Sequence, residues 1–391
     1  MSVVVVGGCG HVGLPLALAL ADTGLSTTAL DIDANKVARV MSGHMPFLEP
    51  GTEDLLAKVL ASGTFKATTD PSSITEADTI VIVVGTPVDE HLNPEPDAVV
   101  HAIDDCLPFI RDGQLMILRS TIFPGVTKKI EEHLARTGKT LDLAFCPERI
   151  AEGFALEELA SLPQVIGARS ESAFTRSEEL FALLGSEPVR VTPEEAELAK
   201  LFTNSWRYIK FAIANQFYVM ATNAGVDYEN VRHAITHNYP RAKDLPRAGF
   251  AAGPCLLKDT MQLAAFSNNA FHLGHSAMMV NEGLPLFLVE QMEKEHDLSQ
   301  MTVGLLGMAF KGDSDDPRSS LSYKLRRILR FRAGNVLCSD PHILGDPTFV
   351  PQEELLAQAD IVVIGAPHSA YKNLKVDKPL FDIWKIVSNG A

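Results

Sequence analysis

The chain has 391 residues, of which 46% are hydrophobic and 21% charged, enough apolar sequence for two or three domains with cores of their own. Its formal net charge of −15 argues against nucleic acid or an anionic membrane as a partner, so an anionic ligand needs its own local lysines and arginines. Five widely spaced cysteines, Cys9, Cys106, Cys146, Cys255 and Cys338, form no CxxC pair and no metal-like cluster with histidine, a usage that fits a reducing cytosol. No apolar run approaches the roughly 18 residues that span a membrane, and no basic leader precedes the first strand. The expectation is a soluble, cytoplasmic protein without a bound metal.

The chain opens on four consecutive valines, Val3 to Val6, which read as a buried parallel strand. Gly8-x-Gly10-x-x-Gly13 follows and leads into an Ala/Leu-rich helix. Glycines at this spacing permit a tight turn, close approach of backbone to a pyrophosphate, and close helix-to-strand packing. A second strand, TTALDID, ends at Asp31 and Asp33. Asp31 lies 18 residues past Gly13, where a carboxylate binds the ribose hydroxyls of NAD and repels the 2′-phosphate of NADP. Asp33 reads as the N-cap of a helix starting at Ala34.

Further strands are expected at Thr79 to Val84, Gln114 to Leu118 and Leu141 to Ala144. Their carboxyl ends carry Gly85-Thr86-Pro87 and Arg119-Ser120-Thr121, where ligands sit in a doubly wound sheet. Thr86, Ser120 and Thr121 then face a ligand or cap their loops. The loop from Val88 to Asp97, with two prolines and four acids, reads as a solvated excursion. Next comes Cys146-Pro147-Glu148-Arg149-Ile150-Ala151-Glu152-Gly153. Its two glutamates can supply a general base or form an ion pair, and composition leaves both open.

Thr192-Pro193-Glu194-Glu195 is a capping box with proline at the first helical position. The helix it starts meets no breaker before Gly225, a length suited to a spine between domains and to a dimer surface. Lys200 and Asn204 share one face of it. Arg241, Lys243 and Arg247 form a basic cluster ahead of GFAAGPCLLKDT, residues 249–260. There Cys255 follows a Gly253-Pro254 turn, and a helix beginning at the cysteine puts Lys258 and Asp259 on its face. The helix dipole and the cation both favour thiolate there. A lone cysteine is more commonly a buried structural residue, so the stretch alone does not decide. Asp259 to Glu295 reads as further helices.

A second strand-glycine-helix unit starts at Met301 but lacks a complete GxGxxG. With a helix near Ser320 to Phe331 and strands at Asn335 to Cys338 and Asp360 to Ile364, it reads as a second Rossmann-like sheet. Lys311 and Arg318 follow its first strand, placed to neutralise a diphosphate or to serve as ordinary loop charge. The fold class expected is α/β, with two Rossmann-like doubly wound parallel-sheet domains joined by a long central helix and a helical middle domain. The boundaries expected are 1–191, 192–298 and 299–391.

The ordered set GGCGHVGLP, VVGTPVDE, RSTIFPG, PERIAEG, EEAELAKLFTN, GPCLLKDT and GMAFKGDSDDPRSS resembles the UDP-glucose/GDP-mannose dehydrogenase family of NAD-dependent nucleotide-sugar 6-dehydrogenases, from about residue 3 to 370. The resemblance implies oxidation of a sugar-nucleotide C6 hydroxymethyl to a carboxylate with two NAD, through a thiohemiacetal and a thioester on Cys255. It implies that Lys200 and Asn204 stabilise the oxyanion, that Asp259 positions water or acts as a base, and that Glu148, Glu152 and Thr121 line the water and substrate site. By the same resemblance Gly8, Gly10, His11, Val12, Gly13, Asp31, Lys36, Thr86, Pro87, Ser120, Thr121, Lys258 and Arg318 meet the cofactor. Glu148, Arg149, Ile150, Lys200, Asn204, Arg241, Gly253, Phe310 and Lys311 meet a UDP-, GDP- or dTDP-hexose. Arg241 resembles the family arginine that reaches a neighbouring subunit's substrate, and a homodimer through the central helix is implied.

Two departures stand out. GFAAGPC replaces the commoner GFGGSC, and PERIAEG replaces PEFLxEG, with Arg149-Ile150 for Phe-Leu, which looks more like the N-acetylhexosamine branch. The residues leave two other readings open: a two-electron hydroxyacid or phosphogluconate-type dehydrogenase, and a non-catalytic nucleotide-sugar-binding protein.

Overall fold

The structure is a computed structural model that describes residues 1–86 and 97–387. Pro87 and most of the acidic loop after it lie outside the described residues. The chain divides into two compact units, Met1–Phe202 and Thr203–Ala391.

In the first unit eight strands form one sheet: β1 (Ser2–Val6), β2 (Ser26–Leu30), β3 (Phe65–Thr68), β4 (Thr79–Ile82), β5 (Leu115–Leu118), β6 (Asp142–Phe145), β7 (Gln164–Ala168) and β8 (Pro188–Val191). Their order is β3-β2-β1-β4-β5-β6-β7-β8, and among the described residues the one antiparallel pairing in this sheet is β6 with β7. Val3, Val4 and Val5 are buried because both faces of the sheet are covered. Val3 and Val5 enter one core cluster and Val4 the other, so alternation of side chains still leaves every position apolar. The chain winds outward from β1 to β3 and restarts at β4 on β1's other side. That switch point opens a crevice beyond the carboxyl ends of β1 and β4.

Several strand ends are shorter than the sequence reading has them. Val83 and Val84 lie past β4, and Asp31 and Asp33 lie past β2; the Val84 N–H turns to the Ser120 hydroxyl and the Asp33 N–H to the Asp31 carboxylate. Gln114 precedes β5, and its buried amide donates to the carbonyls of Ile74 and Ala77 at 2.8 and 2.7 Å. β3, β7 and β8 are additions that the sequence reading did not name.

The long helix is Pro193–Asn223, 31 residues, or about 46 Å at 1.5 Å per residue. Its capping box forms as expected. The Glu195 carboxylate accepts the Thr192 N–H at 2.7 Å, and Thr192 Oγ1 accepts the Glu195 N–H at 3.3 Å. Past its far end Gly225 takes φ +71°, the left-handed turn that ends a helix.

The second unit holds the rest of this helix, the helices Tyr228–Thr236, Leu256–Phe266, His272–Glu295 and Leu321–Arg332, and a sheet of β9 (Thr302–Leu306), β10 (Asn335–Ser339), β11 (Ile361–Ile364) and β12 (Leu380–Phe381). This sheet is parallel throughout, in the order β10-β9-β11-β12. It too is apolar on both faces, with Val303 and Leu305 in one cluster and Leu306 in another. Among the described residues no helix is long and apolar enough to cross a membrane.

Candidate active site

The loop after β1 is shaped by its glycines. Gly7, outside the fingerprint, has φ +77°, and a Cβ there would lie 2.0 Å from the Val83 carbonyl oxygen. A Cβ on Gly8 would lie 2.5 Å from the Val5 oxygen, and one on Gly13 would lie 2.4 Å from the Gly7 oxygen. The fold itself therefore demands these three glycines. At Gly10 the nearest atom to a Cβ is 3.5 Å away, an ordinary contact. The protein's own packing does not require Gly10, so its missing side chain leaves the loop open to a pyrophosphate.

Asp31 Oδ2 accepts the Cys9 N–H at 2.9 Å and its Oδ1 accepts the Asp33 N–H at 3.0 Å. A carboxylate has about four acceptor positions, so capacity remains for ribose hydroxyls. Asp33 caps the helix Ala34–Met41 through the N–H groups of Asn35 and Lys36. The Lys36 ammonium stands 3.9 Å from Asp33. Val12 precedes the helix Gly13–Asp22. His11 stacks on Phe47 with ring centroids 4.1 Å apart, and its Nδ1 lies 3.9 Å from Glu152 Oε1. These residues fit NAD: an open glycine loop at a helix N-terminus, and a carboxylate at the end of the second strand.

At the neighbouring strand ends Thr86 and Thr121 are half-buried. Ser120 is not turned outward: its Oγ accepts the Val84 N–H at 2.9 Å, tying the loops after β4 and β5 together. The segment from Glu148 to Ala155 is held in a similar way. Glu148 forms a buried ion pair with Arg119, and its Oε1 accepts the N–H groups of Arg149 and Ile150 at 2.6 and 2.9 Å. Arg119 in turn donates to the Cys146 carbonyl and the Gln164 side chain. Of the two outcomes the sequence left open, Glu148 takes the ion pair, with Arg119 rather than Arg149, and it is buried rather than on the surface. The Arg149 guanidinium donates to the Pro163 carbonyl, and burial lowers its pKa. Ile150 packs against the core of the first sheet. Glu152 instead faces His11.

On the long helix Lys200 is buried, 9% exposed, and is not the solvated partner of Glu197 that its spacing allows. Glu197 accepts the N–H groups of Gly125 and Thr127 at 2.6 and 2.8 Å, at the start of the helix Val126–Thr137.

In the second unit the cysteine stretch is held at three points. The Asn215 side chain exchanges two hydrogen bonds of 2.9 Å with the backbone of Gly249, and a Cβ on Gly249 would lie 2.1 Å from the Trp384 ring. Gly253, at φ +105°, lies against the Phe310 ring, 2.6 Å from where its Cβ would be, and its N–H donates to the Ser319 carbonyl at 3.3 Å. Asn204 Nδ2 donates to Asp259 Oδ2 at 2.5 Å. Asp259 is fully buried, and Lys258 Nζ lies 3.1 Å from its other oxygen.

Cys255 is the residue preceding the helix Leu256–Phe266. It is exposed, and the other four cysteines are buried. Burial pushes Cys9 and Cys146 up to about 12 and Cys106 and Cys338 up to about 11, so those four are inert thiols at neutral pH. The arrangement is the reverse of a buried structural cysteine beside an exposed Lys-Asp pair.

Beside the second sheet Lys311 Nζ lies 5.9 Å from the Phe310 ring centroid. Arg318 is held by Asp316, with Nε 2.9 Å from each carboxylate oxygen. Arg241 stacks on Tyr239 and donates to its hydroxyl at 2.8 Å. Asp313, His342 and His368 bring one potential ligand atom each within 4.8 Å of one another. Both ring nitrogens of His368 are engaged, one with the Asp313 N–H and one with Asp340.

The residues that sequence reasoning missed are Phe47, Glu49, Arg119 and Asn215. Glu49-Pro50-Gly51 is a turn signal, but nothing local shows where its carboxylate goes.

Models of the UDP-glucose/GDP-mannose dehydrogenase family match nearly the whole chain: the NAD binding domain over residues 1–184, the central domain over 194–283 and the UDP binding domain over 304–389. The chain belongs to this family and is an NAD-dependent nucleotide-sugar dehydrogenase. Within the family it is similar to the UDP-N-acetyl-D-mannosamine dehydrogenase of Pyrococcus horikoshii, 32% identical over 380 residues that cover 94% of this chain and 90% of that protein. The solved structure of UDP-D-ManNAc dehydrogenase from the same organism superposes with a TM-score of 0.92 at 28% identity, covering 100% of this chain and 96% of the other. A UDP-glucose dehydrogenase structure from Pyrobaculum islandicum gives 0.91 at 28% identity, covering 98% and 94%.

Proposed function

We propose that the protein oxidises the C6 hydroxymethyl of a UDP-N-acetylhexosamine to the carboxylate, a four-electron oxidation that passes through a thioester on Cys255. The observation that carries this reading is the contrast at residues 255–259. The exposed thiol sits at the head of a helix, while Asp259 beneath it is fully buried and bonded to Asn204.

NAD, held at Gly8, Gly10, Gly13 and Asp31, supplies the hydride acceptor for both oxidations. The chain's own groups do the rest. The Cys255 thiolate forms a C–S bond to the C6 aldehyde, and the carbonyl oxygen becomes an alkoxide stabilised by Lys200 and Asn204. Loss of a hydride from C6 of this thiohemiacetal alkoxide, with collapse of the oxyanion to a carbonyl, leaves the thioester. Water then attacks the acyl carbon, the C–S bond breaks, the thiolate leaves and the water proton passes to Glu152. Glu148 is not given this role, because its carboxylate is bound by Arg119 and two backbone N–H groups.

The hexosamine assignment rests on the named relatives and on Arg149-Ile150 in place of Phe-Leu. Lys311, Phe310 and Arg318 serve the nucleotide. The second subunit docks on the long helix, which exposes Trp206, Ile213, Phe217 and Met220, an apolar stripe at helical spacing, and Arg241 reaches toward the neighbour's substrate. Trp206→Glu combined with Phe217→Glu is expected to halve the mass measured by light scattering.

The test is a panel of nucleotide sugars incubated with NAD. UDP-N-acetylhexosamines are expected to turn over fastest, and Cys255→Ala to form no uronate. Normal uronate formation by that variant overturns the mechanism. One NADH per substrate, with the cysteine dispensable, identifies a simple two-electron dehydrogenase instead.

A further inference from the structure

Five backbone N–H groups of the segment that carries Glu152 are held by carboxylates. Glu148 takes those of Arg149 and Ile150 at 2.6 and 2.9 Å. Glu158 takes that of Ala151 at 2.5 Å. The N–H groups of Gly153 and Ala155, on the far side of Glu152, go to the two oxygens of Glu49 at 2.7 and 2.9 Å. Glu49 is 5% exposed and lies more than a hundred residues away in sequence. A buried carboxylate with no lysine or arginine partner among the described residues is costly unless hydrogen bonds hold it. These two N–H groups at the start of the helix Ala155–Ser161 supply them.

Two more observations tie Glu49 to the same spot. Gly153 takes φ +82°, so the chain reverses directly after Glu152, and Glu49 grips the amide at that reversal. The short segment bearing Glu49 also bears Phe47, on which His11 stacks, and His11 Nδ1 is 3.9 Å from Glu152. Thr52, fully buried, anchors this segment by donating its hydroxyl to the Glu49 carbonyl at 2.6 Å. One element thus braces both members of the His11–Glu152 pair.

We propose that Glu49 is a positioning residue that fixes Glu152 for its part in the reaction. This rests on the role given to Glu152 above. Glu49→Gln keeps the shape but sets an amide NH₂ against one of the two N–H groups, so the turn at Gly153 loosens and Glu152 loses its fixed aim.

The test is a double-mutant cycle in the full-length enzyme with NAD and UDP-N-acetylmannosamine. It compares Glu49→Gln, Glu152→Gln and the pair by kcat, KM for NAD and intact mass of acid-quenched protein. Glu152→Gln is expected to lower kcat about 100-fold, within the range for loss of a general base, and to accumulate an acyl adduct on Cys255. Glu49→Gln is expected to lower kcat about tenfold, with KM for NAD changed less than about twofold, and the double variant to be no slower than Glu152→Gln alone, the signature of two residues acting through one group. Additive losses, or a Glu49→Gln enzyme with normal kcat, overturn the inference. An absence of acyl adduct in Glu152→Gln overturns the hydrolytic role of Glu152 instead, and non-additivity then still links Glu49 to it. If Glu49→Gln fails to fold, Glu49→Asp, which keeps the charge on a shorter arm, is read in the same cycle with the same two outcomes.

Discussion

The two sheets begin with the same device and end with opposite capacities. Each first strand runs into a glycine in the left-handed region, Gly7 at φ +77° and Gly307 at φ +89°. Each second strand is followed by an aspartate that grips the first loop, Asp31 through the Cys9 N–H and Asp340 through those of Met308 and Ala309. The difference lies in what is left over. Asp31 receives two N–H groups. Asp340 receives four, from Met308, Ala309, His342 and Ile343, and bonds His368 Nε2 at 3.1 Å as well, with its side chain fully buried. Three residues past each left-handed glycine the first loop has bare Gly10, whereas the second has Phe310, whose ring meets Gly253 of the cysteine stretch. The same fold thus builds an open dinucleotide loop in one unit and a sealed loop that backs the turn before Cys255 in the other.

The sealed aspartate gives the largest expected effect. Asp340→Asn turns an NH₂ toward buried donors and is expected to destabilise the second unit by about 3 kcal/mol, read as an early transition in urea unfolding. Burial alone raises the pKa of Asp340, but hydrogen bonds from His368 and from the His342 and Met308 N–H groups override it and bring it down to about 2. The stability it contributes, about 2 kcal/mol, is therefore complete above roughly pH 4, the unfolded value, and is lost as pH falls toward 2. Acid unfolding of wild type followed by circular dichroism should show this loss and Asp340→Asn should lack it.

Next is Gly8→Ala, whose Cβ meets backbone at 2.5 Å and is expected to cost about 2 kcal/mol in thermal unfolding. Asp31→Ala touches the ligand more than the fold. It is expected to raise KM for NAD by about tenfold or more through loss of charged hydrogen bonds to ribose, with KM for the sugar nucleotide unchanged. The smallest change in stability belongs to Gly10→Ala, within about 0.5 kcal/mol of wild type, yet NAD affinity by calorimetry is expected to fall about tenfold. If Gly10→Ala and Gly8→Ala behave alike, the distinction between the glycine the fold needs and the one the ligand needs is wrong.

Local patterns explain what was legible in the sequence. The glycine fingerprint, the Asp33 cap, the Thr192–Glu195 box and the Cys255 helix head depend on residues a few positions apart, and each forms where the spacing puts it. What escaped depends on contacts between distant segments. Glu49 reaches residues 153 and 155, Asn215 holds Gly249, and Arg119 claims Glu148. No short-range spacing encodes such pairs. Ser120 and Arg318 show the converse. Both are polar groups at a strand end or loop, where a ligand is the natural expectation. Yet Ser120 also accepts the Val84 N–H and Arg318 also pairs with Asp316, so a polar residue placed for a ligand is tied into the fold as well.

The most direct test of the central claim is the ratio of NADH formed to uronate formed when a limiting amount of the UDP-N-acetylhexosamine that turns over fastest is taken to completion. The thioester route through Cys255 predicts two NADH for each uronate and no free aldehyde; one NADH per substrate, with an aldehyde or ketone as product, would contradict it.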